Sequence, residues 1–229
     1  MSYILSYRQF LDPTYFLLQG IPLIIRTISL IIINYFILRA SKNQPEGVKR
    51  SEYLKWCAIV NLIFSFVPLI LPELVITSLT FSPQDFTLVS LFDISTGLIE
   101  SVPFLISYGV LIFLFAIHNR DTLGSYLYIA GICFLVGFSL SSLMVGGKLI
   151  SLFLLLDISS LVWVLPIAIL SIIASFITLV GFIFFAIHGV NKRDLNFKWA
   201  GIVYFIGIGF SFIFSFLMDF IIIFSYFHP

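Results

Sequence analysis

The sequence predicts an all-α integral membrane protein with six transmembrane helices, laid out as three tandem helical hairpins of the same orientation. Three observations carry that reading. The chain has too few charges to dress a surface for water, a two-helix unit recurs along it, and its basic residues gather in alternate loops.

Of 229 residues, 60% are hydrophobic and only 10% charged, with a mean hydropathy of +1.14. Soluble domains carry about 25% charged residues. Apolar runs of bilayer-spanning length, roughly 20 residues, recur throughout, so the whole of 1–229 reads as a single membrane domain. A net charge of +1 excludes a nucleic-acid binder driven by counterion release. The expected partners are the lipid bilayer and a membrane-protein partner or a second copy of the chain.

The repeat is sharpest between FAIH and IAGICFLVGFSLSS (Phe115 to Ser142) and FAIH and WAGIVYFIGIGFSF (Phe185 to Phe212). The offset is 70 residues, with Ala130 answering to Ala200, Gly131 to Gly201, Gly137 to Gly207 and Ser141 to Ser211. A worn first copy has Phe36-Ile37-Leu38-Arg39 and then KWCAIVNLIFSF from Lys55. Internal repeats fix architecture before any other signal. The units run over about 12–72, 93–146 and 157–220.

The expected spans are 17–39, 54–72, 98–118, 125–146, 161–188 and 199–220. The start of the chain lacks the ordered basic flank, compact apolar stretch and cleavage site of a signal peptide, so the first span is expected to direct insertion. The loops after spans one, three and five hold nine of the twelve basic residues, from Arg39 and Lys42 through Arg120 to Lys192, Arg193 and Lys198. The positive-inside rule puts these loops in the cytoplasm and both termini outside. A plasma-membrane location follows as the expectation. Trp56 and Trp199, each after a lysine, mark the interfacial aromatic belt.

Two outer segments are too apolar for ordinary loops, Leu74 to Ser95 and Leu149 to Leu156. The second leads into the fifth span, which calls for a seventh span or a short interfacial helix. The repeat favours the helix, because another span would turn the last basic loop outward. Asp93-Ile94-Ser95-Thr96, Asp157-Ile158-Ser159-Ser160 and, more loosely, Asp12-Pro13-Thr14 offer helix starts. Each is followed about ten residues later by Pro22, Pro103 or Pro166, where a kink is expected.

Gly131, Gly137, Ser141, Gly201, Gly207, Ser211 and Ser215 read as helix-packing residues, since small side chains let membrane helices approach closely. The rival reading of that face is a hydroxyl-lined pathway. Arg26, Glu100 and Asp219 are the candidates for a substrate site or an ion pair, because ionisable groups within spans are costly. Arg26 pairing with Glu100 or Asp219 competes with all three reaching to the outer headgroups. Additive stability losses from Arg26→Ala and Glu100→Ala would exclude the pair. His118 and His188 end equivalent spans, and Arg39 stands at that place in the first copy. The position therefore reads as a cation at a helix C-terminus rather than a metal or haem ligand, which would need more ligands. Cys57 and Cys133, inside spans, read as packing residues rather than a disulfide.

No GxSxG, HExxH, CxxC, P-loop or dinucleotide fingerprint is present. No catalytic residue, metal or cofactor is expected, and the chain is read as not an enzyme. Repeats favour a small transporter or channel, and the scarcity of midplane charge favours a neutral or apolar solute. The alternative is a non-enzymatic scaffold or accessory subunit of a membrane complex. Small residues facing the bundle axis would support the transporter. Bulky residues filling it, with a groove outside, would support the scaffold.

Overall fold

The structure, a computed structural model, describes residues 13–44, 48–66, 101–153, 161–207 and 209–210. These residues form helices and the turns between them, with no strand among them. Helix α1 is Pro13–Lys42 and α2 is Glu52–Phe64. Helix α3 is Ser101–His118, α4 the single turn Arg120–Leu123, α5 Ser125–Phe153 and α6 Leu161–Asn191. A last helix, α7, starts at 195 and runs to 207.

Four segments are long and apolar enough to cross a membrane: Ile24–Lys42, Ser101–His118, Ser125–Gly147 and Ile172–Asn191. That is compatible with a membrane protein. Helix α2 has 13 residues, about 20 Å at 1.5 Å per residue, which is short of a bilayer. The expected outer segment Leu149 to Leu156 is changed in its first part. Residues 149–153 continue α5 instead of opening a separate helix. Gly146 and Gly147 face open space and do not break the ladder, and the apolar run after them keeps helical bonding. The segment Leu74 to Ser95 and the Asp93 and Asp157 helix starts lie outside the described residues.

Neighbouring helices pack in the order α1, α2, α3, α5, α6, and α7 lies against α6. The ring closes where Gly207 of α7 meets the Ser29 side chain of α1. The core of this ring is built from Ile33, Ile37, Leu54, Phe104, Tyr108, Phe134, Phe182 and Phe185 with their neighbours.

The three basic turns share a backbone device. Each holds one residue with positive φ just before the next long helix: Arg50 at 58°, Gly124 at 91° and Arg193 at 55°. Helix α1 ends with Arg39 and Lys42 in its last turn, where the dipole favours cations. Gln44 then donates its side-chain amide to Ala40 O over 2.7 Å. Asp194 Oδ1 accepts from the Asn196 N–H at 2.9 Å and satisfies a free amide at the start of α7. The turn between α6 and α7 admits only glycine at 189. A Cβ there would overlap the Lys198 backbone and sit 2.8 Å from Asp194 O.

Candidate functional site

Polar side chains collect in the interior where α1, α2 and α3 meet. The local cause is an interruption in α3. Residues Leu105–Leu111, two positions after Pro103, wind as π-helix. A π turn carries backbone bonds one residue further than an α-helix, and such turns are frequent at functional sites. It turns Ser107, Tyr108 and Gly109 into the core.

Ser107 Oγ lies 2.5 Å from Pro103 O and 2.5 Å from Asn61 Oδ1 of α2. A hydroxyl has one hydrogen, so it serves one of these acceptors at a time. Asn61 Nδ2 donates to Cys57 Sγ at 3.6 Å, and Ser65 Oγ donates to Asn61 O at 2.6 Å. One residue further along α3, the Tyr108 hydroxyl donates to Asn34 Oδ1 of α1 at 2.8 Å. Asn34 is 2% exposed, and its Nδ2 has no hydrogen-bond partner. Leaving such a buried donor unmet costs about 1–3 kcal/mol.

The other side of Tyr108 is aromatic. Its ring stacks on Phe104 at 5.9 Å and Phe138 at 5.8 Å, and meets Phe182 edge-on at 5.7 Å. Phe134 packs on Phe182 at 4.5 Å, and Phe182 stacks on Tyr204 of α7 at 3.5 Å. Tyr108 thus joins Asn34 of α1 to a ring cluster on α5, α6 and α7, while its neighbour Ser107 reaches Asn61 of α2. The bundle interior at this depth is filled with side chains.

The chemistry of the cluster is hydrogen bonding. Cys57 and Cys133 are free thiols, and Cys57 has a carboxamide rather than a base beside it. No group of three or more metal-ligating residues occurs among the described residues. His118 is exposed and has Leu114 O at 2.7 Å from Nδ1. His188 is 1% exposed, packs edge-on to Phe197 at 5.2 Å and leaves Nε2 without a hydrogen-bond partner. Despite equivalent sequence positions, the two histidines have unlike surroundings.

At the basic end the turns are tied together. Asn119 is buried, receives the Lys49 N–H on Oδ1 at 2.7 Å and returns Nδ2 to Lys49 O at 2.8 Å. Lys192 Nζ donates to Thr122 O at 3.1 Å.

Of the candidates from the sequence, Arg26 is an exposed residue of α1, within electrostatic reach of Tyr204. Glu100, Asp219, Ser211 and Ser215 lie outside the described residues. Gly131 sits against Phe113 and Ala116, and Gly201 against Phe182 and Ala186; of these neighbours the alanines are the ones 70 residues apart. Gly137 faces Thr178 and Ala174 of α6, and Ser141 donates to Gly137 O at 3.1 Å. Trp56 and Trp199 are exposed.

Asn34, Asn61, Ser107 and Tyr108 were not singled out by sequence. The available signal was a lone asparagine in each of two apolar runs. A polar side chain in hydrocarbon seeks a partner on another helix. The chain matches no known family model, no curated protein and no solved structure.

Proposed function

We propose that this chain is a non-enzymatic scaffold or accessory subunit of a membrane complex. The observation that carries the reading is the filled interior. Tyr108, Phe134, Phe138 and Phe182 interlock where a transporter of this size would keep a passage or a site. Large apolar side chains such as Leu143, Ile172 and Phe176 instead face outward, toward lipid or a partner subunit. With this reading go six spans in three parallel hairpins, a plasma-membrane location and the basic turns in the cytoplasm.

The second reading is a small transporter for a neutral or apolar solute. It draws on the π turn of α3 and the unpartnered Asn34 Nδ2 beside it. An amide group of that kind would donate to a carbonyl or hydroxyl oxygen of a solute.

Purification from native membranes in mild detergent, followed by mass spectrometry, separates the two. A membrane protein present at fixed ratio, which re-forms the complex when both purified components are mixed, is the expected result. A monodisperse lone chain whose melting temperature rises with one small neutral solute would overturn the scaffold reading in favour of transport.

A further inference from the structure

A groove of about 350 Å³ opens along the outer seam between α6 and α7. Its floor is Ala186 and Gly201, which touch because Gly201 has no side chain. A Cβ there would stand 2.7 Å from that of Ala186. Ile183 and Val190 form one wall and Phe205 part of the other, and all three are well exposed. The lining is apolar except at Lys198.

Lys198 lies at the end nearest the basic turn, one residue before exposed Trp199 and 6.0 Å from its ring centroid. No carboxylate among the described residues forms an ion pair with it. The apolar seam therefore runs down from a cation at the depth where tryptophan marks the membrane interface.

The corresponding seam between α3 and α5 is built differently. There Phe113 replaces Ile183 and Tyr128 replaces Lys198. Those two rings meet at 6.0 Å and Arg120 lies 5.0 Å over Tyr128. Two packed rings thus stand at the positions that Ile183 and Lys198 hold in the α6–α7 seam.

We propose that the α6–α7 groove binds one anionic phospholipid, with an acyl chain along the Ala186–Gly201 floor and the phosphate on Lys198. The chemistry follows from the lining. A hydrocarbon chain matches the apolar wall residues, and the groove's one cation offers a partner to a negative group at the interface. This site is independent of whether the protein works as a scaffold or a transporter.

The test is thermal unfolding of the purified full chain in non-ionic detergent with added phosphatidylglycerol or phosphatidylcholine of identical acyl chains. Ligand binding to the folded state raises the melting temperature with concentration. Phosphatidylglycerol is expected to bind more tightly, and Lys198→Gln to weaken it roughly fivefold, the usual worth of one basic residue at a membrane surface. Lys55→Gln, which changes the other Lys-Trp pair, is expected to leave the preference intact. Val190→Trp, on an exposed wall, is expected to weaken both lipids by filling the groove. Equal stabilisation by the two lipids would overturn the requirement for a net anionic headgroup, and an equal loss with Lys55→Gln would overturn the seat of the phosphate on Lys198. Unchanged lipid binding in Val190→Trp, or full replacement by soluble glycerol phosphate, would overturn the acyl-chain seat.

Discussion

The phenol of Tyr108 donates to Asn34 Oδ1 at 2.8 Å, and through that bond the π turn of α3 is held to α1. Both groups are buried, so neither has water to fall back on. Tyr108→Phe keeps the ring contacts and strips Asn34 of the partner of its Oδ1. An interhelical bond in a membrane bundle averages about 0.6 kcal/mol, but an abandoned buried acceptor adds to that, so the expected loss is about 1–2 kcal/mol. Asn34→Leu in the Tyr108→Phe background should recover part of it, because both polar atoms are then gone. Unfolding in detergent of the two single variants and the double gives the coupling. Strict additivity would show that the bond contributes nothing.

The legible part of the fold lay in residues whose type alone limits packing. Gly131 and Gly201 stood out by sequence, and they lie where helices touch, because only small residues permit that approach. Ala130 and Ala200 beside them are fully buried. The polar centre was hidden for the opposite reason. Asparagine and tyrosine within an apolar run leave open which neighbour they face. The pairing of Asn34 with Tyr108 depends on a π turn that Pro103 hinted at only as a kink. The helical continuation over 149–153 was obscured because an apolar stretch beyond a bilayer's length fits a longer helix and an interfacial one equally well.

Glycines of α5 differ sharply in what surrounds them. A Cβ on Gly137 would overlap Thr178 Oγ1 and lie 3.1 Å from Ala174 O, whereas one on Gly146 meets nothing within 4 Å. Gly137→Ala should therefore destabilise by about 1–3 kcal/mol through overpacking against backbone. Gly146→Ala should stabilise by up to about 1 kcal/mol through helix propensity. Melting temperatures of the two variants in one detergent are expected to move in opposite directions. A shift of the same sign for both would mean that α5 and α6 do not meet at Gly137.

Arg193 holds φ at 55° in the turn before α7. A side chain with a Cβ pays roughly 1–2 kcal/mol in that region. Arg193→Gly removes the strain and partly offsets it with extra freedom in the unfolded chain, for a net gain of about 0.5–1 kcal/mol. Arg193→Val, β-branched, should lose at least as much. Thermal unfolding checks the order Gly above Arg above Val. Any other order would deny the left-handed turn.

Asn119 carries the tie between the first two basic turns. Its amide makes two bonds with the Lys49 backbone and a third from Nδ2 to Phe115 O at 2.9 Å. At about 1 kcal/mol net for each bond, Asn119→Ala should cost roughly 2–3 kcal/mol. The effect has an address as well as a size. Trypsin cleaves after Lys49 and Arg50, and releasing that backbone should speed cleavage there. The hydrogen bonds of the Asn119 side chain do not extend to the turn that holds Lys192 and Arg193, and those sites serve as an internal reference. Limited proteolysis of the solubilised chain is expected to show faster cutting at 49–50 with an unchanged rate at 192–193. Equal acceleration at both would mean that Asn119 supports the whole bundle rather than this turn. No acceleration at either would mean that the Lys49 backbone is held without it. Asn119→Asp refines the reading, because a carboxylate still accepts from the Lys49 N–H but cannot donate to Lys49 O. Its cleavage rate should fall between those of the native chain and the alanine variant.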